Sequence, residues 1–294
     1  MSAAPSAGAV AELVRLPAVL SVPGDVWVGA ATSGQAADIR RTAGLTAASS
    51  CLYLAGMALN DYADRDVDAV ERPQRPIPSG RVSPQYALGL ATGLTVGGVG
   101  LAVLADGARA LKVAAPLAGA VWAYDLALKQ TPAGVTGMSA CRALDVLMGA
   151  GAHGVSGAAA AAAVVGTHAA ATTSLSRTEV EGGAPGTARA ALVATGAIAA
   201  VASALAFRRS ASPARRLTAL GLLGAYASTV GAAQADAVRD PSPARVQGAV
   251  GAGVIGTMPL QAGILAGTNG LLPAAGIASL WPLARALARR RSVT

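Results

Sequence analysis

The sequence predicts an all-α fold, a polytopic bundle of about nine transmembrane helices. Its 294 residues are 53% hydrophobic and only 13% charged, which is unlike an ordinary soluble domain. The apolar residues form long runs that short polar segments interrupt, as expected of successive membrane helices. Glycine, with 36 residues, and alanine are abundant, and such small side chains let helices pack closely in lipid.

Runs with little or no charge recur along the chain and give the candidate spans. Each is close to the roughly 20 apolar residues that cross a bilayer, although the first contains Arg15, Pro17, Pro23 and Asp25. Eight runs cover about 12–32, 42–60, 83–105, 110–128, 134–152, 157–175, 188–207 and 215–235. Residues 246–284 continue without charge for about 58 Å of helix, so we expect them to fold back near Thr268-Asn269-Gly270. This pattern predicts nine or ten spans in one domain over residues 1–294.

The charged residues lie mainly between these runs and predict the orientation of the protein. The net charge of +8 comes from arginines near helix ends, which favours membrane topology and anionic headgroups over binding to nucleic acid. Basic residues in the loops after the second, fourth and sixth runs predict that these loops are cytoplasmic: Arg65, Arg72, Arg75, Arg81, Lys129, Arg177 and Arg189. Arg208, Arg209, Arg215 and Arg216 oppose this orientation. We expect a multi-pass protein of the cell membrane without a cleaved signal peptide, because no basic segment precedes the first apolar run.

Residues 60–81 concentrate charge in a chain that otherwise has little. Asp61, Asp64 and Asp68 are spaced i, i+3 and i+7, so a helix through them presents all three carboxylates on one face. Such oxygen ligands suit Mg²⁺, which takes one or two carboxylates and completes its shell with water and substrate phosphate. Asn60 precedes these acids at the end of an uncharged run, where its amide can orient a ligand.

Basic residues and a proline-rich turn accompany the acids. Arg65, Arg72, Arg75 and Arg81 suit bidentate binding of phosphate, and the prolines of Arg75-Pro76-Ile77-Pro78-Ser79-Gly80 stiffen the loop. One interpretation is a solvated loop that is basic only because of membrane topology. The shared helical face favours the other interpretation, a site for a metal ion and a diphosphate.

The combined motif NDxxDxxxD followed by RPIPSG resembles that of the UbiA superfamily of intramembrane prenyltransferases. The resemblance implies an all-helical membrane bundle and Mg²⁺-dependent transfer of an isoprenoid chain from its diphosphate to an acceptor, often aromatic. It also implies that Asp61, Asp64 and Asp68 bind Mg²⁺ and that Asn60 and the neighbouring arginines bind the diphosphate. The partners would be a prenyl diphosphate, a small-molecule acceptor and membrane lipids.

Three further groups of residues are candidates for the site. Tyr124 and Lys129 resemble a Tyr-x-x-x-x-Lys element that contacts diphosphate in this superfamily, although a lysine here can also snorkel to lipid headgroups. Arg142 and Asp145 lie at i and i+3 inside an apolar run, either as a structural ion pair or as a wall of the substrate chamber, near the diphosphate or the acceptor. Asp25 either binds the acceptor or caps a helix break at Pro23-Gly24.

The resemblance is weaker after the sixth run, where the superfamily carries a second aspartate-rich motif for a second Mg²⁺. Residues 176–183 contain Glu179 and Glu181 there and no aspartate. Their i, i+2 spacing does not place them on one helix face, and Glu179 is the better candidate ligand. This departure is similar to the EboC-like branch, which is encoded with secondary-metabolite genes. It leaves a second function open, a non-catalytic carrier or assembly subunit that binds an isoprenoid lipid.

Overall fold

A computed structural model describes residues 4–178, 185–210, 212–268 and 270–291, and none of these residues lies in a β-strand. The predicted all-helical membrane bundle is therefore confirmed. In chain order its first helices are α1 Ala7–Leu13, α2 Pro23–Thr32, α3 Ile39–Ala63, α4 Arg65–Glu71, α5 Pro84–Asp106 and α6 Leu111–Ala123. The later ones are α7 Gly134–Ser176, α8 Pro185–Arg209, α9 Pro213–Arg239, α10 Pro243–Ala266 and α11 Leu271–Arg291.

The first predicted span, 12–32, is not one continuous helix. It is divided into the end of α1, a 3₁₀ segment over Leu16–Ser21 and α2. Arg15 adopts the left-handed conformation at the first break, with φ of 46°. Pro23 occupies the first turn of α2, where a backbone N–H would have no partner within the helix in any case. The same proline prevents the preceding segment and α2 from forming one continuous helix.

Helix α7 is two antiparallel arms joined by a sharp reversal at Gly151, whose φ of 67° and ψ of 172° are not helical. Ser139 Oγ on the first arm donates a hydrogen bond to the carbonyl of Gly166 on the second, at 2.9 Å. Both ends of α7 lie close together, because Arg177 reaches the start of the helix at Gly134. The two runs at 134–152 and 157–175 thus correspond to the two arms, and their crossing of the membrane as two separate spans stays a prediction.

The reversal frees backbone carbonyls, and side chains from neighbouring segments bind them. Arg41 Nη1 donates to the carbonyl of Gly149 at 3.1 Å, and Gln35 Nε2 donates to that of Ala150 at 2.5 Å. Arg41 also pairs with Asp106 through contacts of 2.6 and 3.1 Å. Backbone polar groups need partners inside a membrane protein, so these contacts stabilise the break.

Six of the described helices are long and apolar enough to cross a membrane, or seven if the bent α1–α2 pair forms one span. Helix α7 is counted once among the six, although its reversal at Gly151 divides it into two arms. Helices α9 and α11 have 27 and 21 residues and are less apolar. The predicted fold-back after α10 is confirmed, since α10 ends at Ala266 and α11 begins at Leu271; Asn269 lies outside the described residues.

Helices α2 and α7 approach closely at two glycines near the centre of the bundle. A Cβ atom on Gly29 would overlap the carbonyl of Val146, and one on Gly149 would overlap the carbonyl of Val26. Small residues at a crossing permit this close backbone contact. The crossing places Asp25 of α2 beside the first arm of α7, where the candidate residues Arg142 and Asp145 lie.

Two of the arginines that oppose the predicted orientation bind helix ends. Arg209 donates to the carbonyl of Thr32 at the end of α2, at 2.6 Å, and also to that of Gly157 within α7, at 2.7 Å. Arg216 donates to the carbonyls of Ser210 and Phe207 at the end of α8, at 2.7 and 3.2 Å. The last carbonyls of a helix have no partner within it, and arginine side chains satisfy them. These two residues therefore have a structural role that charge counting does not detect.

Candidate functional site

The three predicted metal ligands do not lie on one continuous helix. Helix α3 ends at Ala63, Asp64 is the junction residue, and α4 begins at Arg65. Asp61 and Asp68 nevertheless converge, because Arg75 Nη1 lies 2.6 Å from Asp68 Oδ2 and 3.4 Å from Asp61 Oδ1. Both carboxylates are buried, so the guanidinium of Arg75 neutralises them in place.

Asp64 points to a different cation, the predicted Lys129. Lys129 Nζ is 2.7 Å from Asp64 Oδ1 and 3.3 Å from the carbonyl of Asn60. A π-helical turn over Tyr124–Leu128 precedes Lys129, whose backbone N–H donates to the carbonyl of Tyr124. Such π-helical turns are frequent at functional sites. The structure thus brings the Tyr124–Lys129 element next to the aspartates.

Two residues that sequence reasoning missed complete this cluster. Arg15 Nη2 lies 2.8 Å from Asp61 Oδ1 and 3.3 Å from Asn60 Oδ1, so the left-handed break before the 3₁₀ segment aims it at the motif. Asn60 Nδ2 donates to Asp125 Oδ1 at 3.2 Å, and Asp125 is only 5% exposed. The signal that could have found both is a charged residue within an apolar run.

The remaining predicted arginines lie at the edge of the cluster. Arg72 is 4.0 Å from Asp68 and about half-exposed, whereas Arg65 stacks on Tyr62 with 4.9 Å between its guanidinium carbon and the ring centroid. Arg81 forms two contacts with Glu12 of α1, at 2.6 and 2.9 Å. Arg65 and Arg81 therefore contact the surrounding loop and α1, and their binding of diphosphate stays a prediction.

A cavity of about 210 Å³ opens beside the aspartate motif. Its walls come from the 3₁₀ break, α3, α6 with its π turn, and the first arm of α7. The lining residues are Arg15, Ser49, Leu52, Tyr53, Gly56, Met57, Asn60, Leu117, Val121, Tyr124, Asp125, Met138, Cys141, Arg142 and Asp145. Polar residues thus lie at both ends of the cavity, and the stretch between them is mainly apolar.

Arg142 and Asp145 line the end of the cavity that is furthest from the aspartate motif, as expected if they form a wall of the chamber. They do not form the alternative, an ion pair with each other. Arg142 Nη2 is 2.8 Å from Asp25 Oδ2, while Asp145 Oδ1 accepts a hydrogen bond from Ser49 at 2.5 Å. Asp25 is fully buried and also accepts from Gln261 Nε2 at 2.7 Å. Arg142 pairs with Asp25 instead of Asp145 because the close α2–α7 crossing brings Asp25 beside it.

The acids near the motif can bind a divalent cation through two carboxylates at a time. Among the residues that the structure describes, no three His, Cys, Asp or Glu side chains group tightly enough to surround one metal ion. Asp61 and Asp68 already share a cationic group, and Mg²⁺ needs only one or two carboxylates beside water and phosphate. Glu179 and Glu181 lie outside the described residues. The neighbouring Arg177 donates to the carbonyls of Lys129 and Thr131.

Comparison with known proteins identifies relatives over parts of the chain. The digeranylgeranylglyceryl phosphate synthase of Methanopyrus kandleri is 48% identical over 77 residues, which cover 26% of this chain and 28% of that protein. The enzyme of the same name from Ignicoccus hospitalis is 41% identical over 106 residues, 35% of this chain and 34% of its own length. The chain thus aligns with about a third or less of these relatives.

A solved structure shares the fold over most of the chain. It is described as digeranylgeranylglyceryl phosphate synthase in membranes and has a TM-score of 0.59, covering 85% of this chain and 98% of its own. Its sequence is only 16% identical, so this likeness concerns the fold alone. The sequence profile of the UbiA prenyltransferase family matches residues 22–207, which is more than half of the chain and includes every residue of the cluster described above except Arg15. The chain therefore belongs to the UbiA prenyltransferase family.

Proposed function

We propose that this protein is an enzyme that transfers a prenyl group from a prenyl diphosphate to an aromatic or secondary-metabolite acceptor within the membrane, in a Mg²⁺-dependent reaction. One observation carries the proposal: a cluster of paired acids and cations opens directly into a largely apolar cavity, and Asn60 belongs to both. The charged cluster suits a diphosphate and the apolar walls suit its isoprenoid chain. We also propose that residues 1–294 form one domain.

The cations of the cluster are the groups that would bind the diphosphate. Arg15, Arg75 and Lys129 each contact an aspartate at 2.8 Å or less, and Arg72 lies at the edge. On substrate binding these cations exchange a carboxylate partner for phosphate oxygens, to which they form charge-assisted hydrogen bonds. Asn60 donates its amide N–H groups from the same side. The carboxylates released by this exchange are Asp61, Asp64 and Asp68.

These three aspartates are the proposed Mg²⁺ ligands, and Glu179 is the proposed ligand for a second ion. Bound Mg²⁺ would stabilise the negative charge that develops on the departing diphosphate. Arg15, Arg75 and Lys129 stabilise the same charge through hydrogen bonds that are already oriented before substrate binds. In the bond-breaking step the C1–oxygen bond of the prenyl diphosphate breaks and both electrons leave with the diphosphate.

The cavity walls provide for the prenyl chain and the allylic cation. Leu52, Met57 and Val121 offer apolar surface and exclude water from C1. The rings of Tyr53 and Tyr124 also line the cavity, and aromatic faces stabilise nearby cations. The acceptor then forms a bond to C1 and loses a proton, which completes the transfer. The charged loops at this end would face the cytoplasm.

Two other functions have a specific observation behind them. The relatives' names favour a lipid acceptor, a singly prenylated glyceryl phosphate whose prenylation would give the product that they specify. The altered second acidic motif favours a non-catalytic carrier or assembly subunit that binds an isoprenoid lipid. Only the enzyme requires Mg²⁺ for productive binding of a prenyl diphosphate, so the metal dependence of binding separates the carrier from both transferases.

The test is prenyl transfer by the purified protein in detergent. We would incubate it with Mg²⁺, labelled prenyl diphosphates of several lengths, and phenolic, indolic and prenylglyceryl phosphate acceptors, and measure diphosphate release and prenylated product. Asp64→Asn removes the carboxylate that faces Lys129, and Asp66→Asn is the matched control because its side chain is 85% exposed. We expect product with wild type and Asp66→Asn and at least about a hundredfold less with Asp64→Asn.

The alternative outcomes are distinct. Equal activity of Asp64→Asn and Asp66→Asn would contradict the role given to Asp64. Prenyl diphosphate binding that is independent of Mg²⁺, with no diphosphate released from any acceptor mixture, would support the carrier. Product with the glyceryl phosphate acceptor alone would replace the aromatic acceptor with a lipid one.

A further inference from the structure

Seven arginines gather at the end of the bundle that is opposite the aspartate motif. Helix α3 begins at this end and reaches the motif only with its last residues. The arginines lie at or beside the connections of α2 to α3, α5 to α6 and α8 to α9: Arg40, Arg41, Arg109, Arg208, Arg209, Arg215 and Arg216. Two acids accompany them there, Asp38 and Asp106. We call this end of the bundle the distal face.

Direct contacts join these connections into one surface. Arg41 bridges Asp106 at the end of α5 and the carbonyl of Gly149 beside the reversal of α7. Arg209 at the end of α8 donates to the carbonyl of Thr32 at the end of α2, at 2.6 Å. The arginines therefore lie on one side of the protein, although they come from distant parts of the sequence.

Four of the guanidinium groups on this face have no carboxylate partner. Asp106 is shared by Arg41 and Arg109, with contacts of 2.6 and 3.0 Å. Within the described ranges, the arginines that lie beyond ion-pair distance of any carboxylate are Arg40, Arg208, Arg209 and Arg216. The two of these that bind backbone carbonyls, Arg209 and Arg216, are held in place with their charge uncompensated. The distal face is therefore strongly positive.

Arginines at the other end of the bundle lie beside acids, even where they are exposed. Arg239 at the end of α9 is 3.0 Å from Asp236, and Arg245 at the start of α10 is 3.8 Å from Asp240. Each of these acids reduces the positive potential around its arginine. An anionic surface is therefore attracted more strongly to the distal face than to the end that carries the motif.

Exposed apolar side chains border the arginines of the distal face. Ile39 precedes Arg40 and is 66% exposed, and Leu217 follows Arg216 and is 70% exposed. Phe207 stacks on Arg216, with 5.2 Å between the guanidinium carbon and the ring centroid. Cations beside apolar surface suit a phospholipid, whose phosphate binds guanidinium groups while its chains cover the apolar residues. A nucleic acid would leave the same apolar residues in water.

We infer that the distal face binds the headgroups of anionic phospholipids in the leaflet that surrounds it. Guanidinium groups form bidentate hydrogen bonds to phosphate, and each basic residue near an anionic membrane surface adds to the attraction. The arginines that oppose the predicted orientation then have a partner in the lipid, whichever side of the membrane they occupy. This inference goes beyond the proposed prenyl transfer and does not depend on it.

The test measures the lipid selectivity of the full chain in phosphatidylcholine vesicles. Spin-labelled phosphatidylglycerol, which is anionic, and spin-labelled phosphatidylcholine, which is zwitterionic, are added in turn at low ionic strength. Electron paramagnetic resonance gives the fraction of each lipid that the protein immobilises. Arg40→Gln/Arg208→Gln removes two exposed cations that make no hydrogen bond or ion pair with the described residues. Arg239→Gln/Arg245→Gln removes the same charge from the other end of the bundle and is the matched control.

We expect wild type and the control variant to prefer phosphatidylglycerol by about fivefold or more, and the distal variant to lose at least about half of this preference. Sodium chloride should weaken the preference of wild type, because salt screens exposed charges. The immobilised fraction of phosphatidylcholine should be equal in all three proteins, which shows that their lipid-facing surfaces are intact.

Three results would overturn the inference. The first is a wild-type protein without any preference for the anionic lipid, and the second is an equal loss of preference in the two variants. The third is release of phosphatidylglycerol by inorganic phosphate beyond the release by sodium chloride at the same ionic strength. That result would mean that the face recognises free phosphate rather than a lipid.

Discussion

Replacing Lys129 with glutamine tests whether this residue acts on the diphosphate or only neutralises Asp64. Lys129 Nζ lies 2.7 Å from Asp64 Oδ1, and its side chain is only 10% exposed. Glutamine keeps a hydrogen-bond donor on a stem of similar direction and removes the charge. The two roles predict different results, because one concerns the transition state and the other concerns the folded protein.

If Lys129 stabilises the leaving diphosphate, its loss removes a preoriented charge from a site shielded from water. Loss of such a group costs about 10²–10³ in kcat, which corresponds to about 3–4 kcal/mol of transition-state stabilisation. If Lys129 only pairs with Asp64, the expected loss is about 1.5–3 kcal/mol of folding stability, with little change in turnover of the folded fraction. We expect the first result.

The assay is steady-state prenyl transfer with saturating Mg²⁺, together with thermal unfolding of the same preparations. Lys112→Gln is the matched control, because Lys112 is exposed near the start of α6, away from the motif. Asp64→Asn and the double variant complete a double-mutant cycle, and we expect the two rate losses to be less than additive because both residues act on one leaving group. A kcat for Lys129→Gln within about threefold of wild type would refute the catalytic role.

Three further changes have outcomes that follow from single contacts. Arg75→Gln removes the cation shared by two buried carboxylates, so Mn²⁺ binding without substrate, followed by electron paramagnetic resonance, should tighten by about tenfold; unchanged binding would contradict this. Asp106→Asn leaves a buried guanidinium without its partner and should cost about 3–5 kcal/mol in unfolding measurements, whereas a cost below about 1 kcal/mol would show that water reaches it. Gly149→Val should abolish the monodisperse peak in gel filtration because its Cβ overlaps the carbonyl of Val26, while Gly97→Val, which meets no atom within 4 Å, should elute normally.

The spans could be predicted from the sequence because the information for them is local. Residues 42–60 were expected to cross the membrane, and α3 covers Ile39–Ala63. The fold-back after α10 follows from the length of an uncharged run and the turn residues within it. The reversal in α7 was likewise predicted as two spans, although only the structure shows that Gly151 makes it with a positive φ.

The partners of the charged residues could not be predicted, since they depend on how distant segments pack. Arg15 reaches Asp61 across 46 residues, and Asn60 reaches Asp125 across 65. The i, i+3, i+7 spacing of the aspartates is compatible with one helix face, but the sequence does not reveal that α3 ends before Asp64. The pairing of Arg142 with Asp25 similarly depends on the glycine crossing of α2 and α7.

The acids and cations at the mouth of the cavity balance one another, and this balance gives a physical reason for a metal requirement. Four carboxylates lie beside four cations, namely Asp61, Asp64, Asp68 and Asp125 with Arg15, Arg72, Arg75 and Lys129. A prenyl diphosphate adds several negative charges to this formally neutral cluster. When the cations turn to the phosphate oxygens, the aspartates lose their partners, so the cations alone cannot neutralise both groups. A divalent ion held by the released carboxylates restores the balance. Arg75→Gln makes the cluster more negative, so the same argument predicts that removal of Mg²⁺ weakens prenyl diphosphate binding by this variant more than it weakens binding by wild type.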